Sequence, residues 1–152
     1  MRTLKLALAT IALASSVTTA NAEPIGRWWA GFGQGNFEYG INNDSAGSDT
    51  TYIGCGEGLT YASFTVGGVQ PKEGATIIVT IGADEFEFRA DSAGNIPTAS
   101  HVDSENFHAL WVAIRAGQFM RVRLNTGQST VFTLKGAAKT MPSQACQTDF
   151  ER

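Results

Sequence analysis

The 152-residue sequence predicts a mainly β fold, an antiparallel β-sandwich or a barrel-like domain carrying one amphipathic helix near residues 104–116. Three observations carry this. Short runs of β-branched and aromatic residues alternate with polar ones and are separated by glycine-rich turns. One stretch alone switches to helical spacing, late in the chain. Two cysteines, Cys55 and Cys146, stand 91 positions apart, suited to closing such a fold with one bridge.

The elements begin after MRTLKLALATIALASSVTTANA. Arg2 and Lys5 form a basic start, an apolar run follows from Leu6 to about Val17, and Ala20-Asn21-Ala22 is an A-x-A cleavage site. Residues 1–22 therefore read as a secretory signal peptide, and 23–152 as a single β-rich domain, periplasmic or secreted. The apolar run is too short to span a bilayer comfortably and no later segment is long enough to try, so no transmembrane segment is expected after cleavage. The leader holds two of the eleven basic residues and none of the fourteen acidic ones, which leaves a net charge of −5 for the remainder. Basic residues that are scattered, apart from Arg115, Arg121 and Arg123, in an acidic chain argue against nucleic acid and anionic lipid, since both reward clustered Lys and Arg.

In RWWAGFGQGNFEYG, Arg27–Gly40, five aromatics sit among four glycines and read as the first hairpin. Phe37 to Ile41 alternates as a half-buried strand does. Asn42–Thr50 is polar and aperiodic, hence a surface loop. TTYIGC and LTYASFTV form a second hairpin about GEG, and Pro71 to Gly74 is a turn. ATIIVTIG, Ala75–Gly82, is the most continuously apolar strand. DEFEFRAD puts Phe86 and Phe88 on one face and Glu85, Glu87 and Arg89 on the other. In DSENFHALWVAIRAG, Phe107, Leu110, Trp111 and Ile114 make one helical stripe, with Asp103 or Ser104 as N-cap and Gly117 as the stop. QFMRVRL and STVFTL form a last hairpin about NTGQ, and one helical turn precedes Pro142.

In an oxidising compartment an even cysteine count makes Cys55–Cys146 a disulfide. No basic residue lies near Cys55 in sequence to activate a thiol there. Gly31, Gly33 and Gly35 miss the dinucleotide spacing, and a strand follows where a helix is needed. Glu85 and Glu87, two apart on a strand, are a solvated face. His101, Asp103, Glu105 and His108 are metal-ligand types, but their spacing matches no zinc motif, and Asp103 is better explained as a cap. No nucleophile motif is present. The expectation is a protein without catalytic, cofactor or metal residues. Trp28, Trp29, Phe32 and Tyr39 are the candidate binding surface, with Trp28 and Trp29 pointing to opposite sides of one strand.

The C-terminal run FHALWVAIRAGQFMRVRLNTGQSTVFTLKGAAKTMPSQAC resembles small exported bacterial proteins of the invasion-associated locus B type. It is also similar to a periplasmic accessory protein of type VI secretion. The matching positions are Ala116-Gly117, Phe132, Leu134, Gly136, Ala137 and Cys146, while Pro142 departs from the pattern. The resemblance implies a periplasmic β-sandwich-like domain with a late helix and an envelope-associated role. The function expected is thus exported, non-enzymatic binding, host-directed or secretion-linked, with another protein or an envelope component as partner. The alternative is an inhibitor or immunity protein against a wall-degrading enzyme.

Overall fold

A computed structural model describes residues 25–152; the expected signal peptide and cleavage site lie outside them. Nine strands, two helices and a 3-10 turn follow in order: β1 Trp29–Gly33, β2 Asn36–Asn42, β3 Thr50–Gly56, β4 Thr60–Thr65, β5 Thr76–Ile81, β6 Asp84–Arg89, β7 Asn95–Ile96, α1 His101–Ala116, β8 Phe119–Leu124, β9 Ser129–Thr133, α2 Ala137–Thr140, and the turn at Asp149–Glu151. They form two antiparallel sheets, one in the order β1-β2-β3-β4-β7 and one in the order β6-β5-β8-β9. The sheets remain separate, so the fold is a sandwich and the barrel form is excluded.

Local chemistry accounts for the hairpins. The first turns on Gln34 (φ 51°) and Gly35 (φ 84°), and two consecutive positive φ values match the right-handed twist of the flanking strands. Register then follows from parity. Tyr39, Ile41, Ile53 and Phe64 point inward from one sheet, and Ile77, Val79, Met120, Val122 and Phe132 from the other. Phe107, Leu110, Trp111 and Ile114 add the helix stripe to the same cluster. Trp111 donates through Nε1 to the Pro142 carbonyl at 3.0 Å, which anchors the segment after α2 on α1.

The helix starts earlier than its stripe predicts. Ser100, not Asp103 or Ser104, is the N-cap: its Oγ accepts the Asp103 N–H at 3.1 Å and donates to Asp103 Oδ2 at 2.6 Å. His101 and Val102 are exposed and off the stripe, so periodicity could not register that first turn. Ser104 is instead buried against Thr148. Strand β7, two residues long, gives no periodic signal of its own; Ile96 is buried and pairs with Ala62 at the sheet edge.

The loop between β2 and β3 is ordered by one carboxylate. Asp44 accepts N–H groups from Ala46, Ser48 and Asp49 and the Ser48 hydroxyl, at 2.8–3.1 Å. The Ser48 bonds chiefly hold its pKa below the usual carboxylate range. From this loop Asn43 reaches the Val131 carbonyl and Asp49 accepts the Thr130 hydroxyl, joining the two sheets at one end.

Candidate functional site

The four aromatics of the candidate surface do not come together. Trp28 is 7% exposed and Tyr39 8%, and both belong to the core. Trp28 donates through Nε1 to the Thr133 carbonyl, and the Tyr39 ring meets Trp111 edge to face at 5.4 Å. Burial raises the Tyr39 pKa. Both are therefore corrected from surface to core residues, because their parity turns them toward the second sheet and α1. Trp29 and Phe32 remain accessible, on opposite faces of β1, and mark two separate surfaces.

The first surface is the hairpin tip. Phe32 and Phe37 are cross-strand partners, 67% and 58% exposed, with ring centroids 5.0 Å apart in an edge-to-face pair. They share the face of Tyr39 but, unlike it, are left exposed. Phe37 also pairs with Cys55, and the Cys55–Cys146 disulfide (Cα–Cα 5.8 Å) closes the C-terminal segment onto this end. An open depression of about 400 Å³ lies between Phe32, Phe37, the disulfide, Gln147 and Arg152. The Arg152 guanidinium is fixed there, donating to Asp149 Oδ1 at 2.8 Å, Thr60 Oγ1 at 2.6 Å and the Gln147 carbonyl at 2.8 Å.

The second surface is the outer face of the five-stranded sheet. Register brings Trp29, Gly31 and Gly33 of β1 beside Asn36, Glu38 and Gly40 of β2, Tyr52, Gly54 and Gly56 of β3, and Tyr61 and Ser63 of β4. Trp29, Tyr52 and Tyr61 form a row, with centroids 6.0 and 5.9 Å apart. The glycines let large neighbours lie down on the sheet: a Cβ at Gly40 would come within 2.8 Å of Trp29 Cζ2, and one at Gly54 within 2.7 Å of Tyr61 Cε1. Sequence reasoning missed Tyr52 and Tyr61, which belong to this row. Each shares a face with Trp29 only through cross-strand register, and their strand runs looked like ordinary hairpin residues.

The acidic and histidine side chains of HVDSENFH disperse. His101 Nδ1 lies 3.6 Å from Glu105 Oε2, both exposed, while His108 Nε2 lies 3.4 Å from Glu151 Oε2. Among the described residues no three His, Cys, Asp or Glu side chains are grouped to hold a metal ion. Both cysteines are in the disulfide, so Cys55 offers no thiol nucleophile. No helix among the described residues is long and apolar enough to cross a membrane.

The model of the YfjT family matches residues 26–141, a span that holds Trp29, Phe32, Phe37, Tyr52 and Tyr61 and stops before Cys146. No curated protein and no solved structure matches the chain. The chain belongs to the YfjT family.

Proposed function

We propose that this YfjT-family chain is an exported protein, periplasmic or secreted, that acts by binding another protein at the Phe32–Phe37 tip and carries out no catalysis. The observation that supports this reading is the exposure of two cross-strand phenylalanines on a hairpin next to a disulfide. An isolated exposed Phe is ordinary, but a contiguous aromatic pair on a stapled scaffold is the anchor that protein interfaces bury at their centres. Rigid aromatics lose little rotamer freedom on binding, and the fixed Arg152 guanidinium supplies a polar rim. The cleavable leader and the C-terminal likeness to envelope-associated proteins agree with a partner outside the cytoplasm.

A photo-crosslinking amino acid at position 32 tests the assignment in living cells. A discrete protein adduct is expected, absent when the crosslinker stands at Glu85 on the opposite sheet and lost when Phe37→Ser is added. Equal adducts at both positions, or none at position 32, would remove the tip from the function. If the adduct is a wall-degrading enzyme, protection of cells in a lysis assay identifies the inhibitor role, and absence of protection points to the secretion-linked one.

A further inference from the structure

We propose that the outer face of the five-stranded sheet is a glycan-binding platform, on which Trp29, Tyr52 and Tyr61 take the apolar ring faces of a neutral saccharide chain. The site is independent of the Phe32–Phe37 tip, being on the other side of the same strands.

The glycine pattern is the first support. Gly31, Gly33, Gly40, Gly54 and Gly56 all fall on this face of β1–β3. A strand face normally carries side chains standing upright, and glycine there weakens a strand unless something gains from close approach. Here the beneficiaries are adjacent aromatic and polar side chains. The Trp29 indole lies against Gly40 and reaches Gly31, where a Cβ would sit 3.8 Å from its Cζ3. The Tyr61 ring lies against Gly54, and the Asn36 side chain lies across Gly56. The Trp29 and Tyr61 rings are thus backed by backbone, and with Tyr52 they stay half-buried rather than covered by a second layer. A core-packing sheet face would show upright aliphatics instead.

The second support is the polar chemistry among the rings. Glu38 stands on this face among the rings and lies beside Gly33, with its Oε1 3.4 Å from where a Cβ would be. Burial, then the Glu38 carboxylate, then the neighbouring Tyr61, raise the Tyr52 pKa. Carboxylate, phenol and amide groups between aromatic faces are the complement of a sugar, which has C–H faces and an equatorial fringe of hydroxyls. The negative ring face attracts the C–H groups, and the polar groups set orientation.

Charge selects among ligands that stack. Nucleic-acid platforms pair aromatic rings with a basic groove. No Lys or Arg occupies an outward position on β1–β4 or β7, and Glu38 is the only carboxylate there. That arrangement repels phosphates and uronates and leaves uncharged hexoses or N-acetylhexosamines. Three rings in a row further suit a chain over a monosaccharide, because each stacks one unit.

The test is a tryptophan-fluorescence titration of the exported protein with tri-N-acetylchitotriose and with cellotriose. Trp28 and Trp111 are buried, so a ligand-induced change reports Trp29. A saturable change with at least one saccharide is expected, with affinity at least tenfold weaker in Tyr61→Ala. Binding of Trp29→Ala is read by calorimetry, because the reporter is gone, and is expected to be lost. Both variants should melt as cooperatively as the parent, and Phe32→Ser should bind saccharide unchanged. No saturable binding of either saccharide by the parent protein would overturn the proposal. So would unchanged binding by Trp29→Ala, or equally tight binding of a polyuronate.

Discussion

The Trp28 indole Nε1 donates a 2.9 Å hydrogen bond to the Thr133 carbonyl, tying the residue before β1 to the end of β9 in the opposite sheet. The contact spans nearly the whole domain in sequence and brings a core indole to a strand terminus. Replacing Trp28 by Phe keeps most of the apolar ring and removes the donor. Loss of about 1–3 kcal/mol is expected, since the Thr133 carbonyl forfeits its partner and some volume is lost. Urea denaturation should show a lower midpoint at unchanged slope. A midpoint equal to the parent's would mean that the bond contributes nothing.

The Cys55–Cys146 disulfide closes a loop of 91 residues. In the chain-entropy account a loop of this length stabilises by about 4–5 kcal/mol. Changing both cysteines to serine, or adding reductant, should therefore lower the melting temperature strongly. The two treatments should agree. If the double serine variant melts with the oxidised parent, the bridge is not a stabilising element.

Gly117, which ends α1, has an ordinary φ of −79°, so its constraint is steric. An added Cβ would come 2.5 Å from Ile81 Cγ2 and 2.7 Å from Leu134 Cδ1. Gly117→Ala thus overpacks the junction between helix and second sheet, at a cost of about 1–3 kcal/mol. Differential scanning calorimetry checks this. A neutral result would show that Ile81 and Leu134 move aside without loss.

The C-terminal turn should open in acid before the core does. Glu151 Oε2 accepts from the Thr148 N–H at 2.7 Å and hydroxyl at 2.8 Å, and Ser104 in turn donates to Thr148. These Thr148 bonds are the main reason the Glu151 pKa lies below its usual value. A carboxyl depressed by folding stabilises the folded form fully above the ordinary glutamate pKa of about 4.3, and that contribution is lost as pH falls through the folded value. Amide exchange at residues 148–151 should accelerate over that range while the Ile77 and Val122 amides stay protected. Uniform exchange across the chain would contradict local opening.

Much of the sandwich was legible because strand faces repeat every second residue. Phe86 and Phe88 against Glu85 and Glu87, or Phe132 and Leu134 on one face, needed no partner strand to assign. The helix stripe from Phe107 to Ile114 was equally local. The helix start at Ser100 was not, because its cap bonds involve residues outside the apolar period. The two-residue β7 had too few positions to show alternation.

The candidate surface was half legible. That Trp28 and Trp29 oppose each other follows from backbone geometry, and composition alone marked the region as unusually aromatic. Which indole enters the core depends on where the second sheet lies, and Tyr39 is buried by Trp111, more than seventy residues away in the chain.

By itself, then, the sequence determined the strand and helix types, the turn sites and the cysteine pair. These depend on residue type and on periods of a few residues. Only the tertiary structure decided that Trp28 and Tyr39 are core, that Phe32 joins Phe37 at an exposed tip, and that Trp29, Tyr52 and Tyr61 share a glycine-floored face. Those outcomes rest on cross-strand register and on contacts between segments distant in the chain, which no local period encodes.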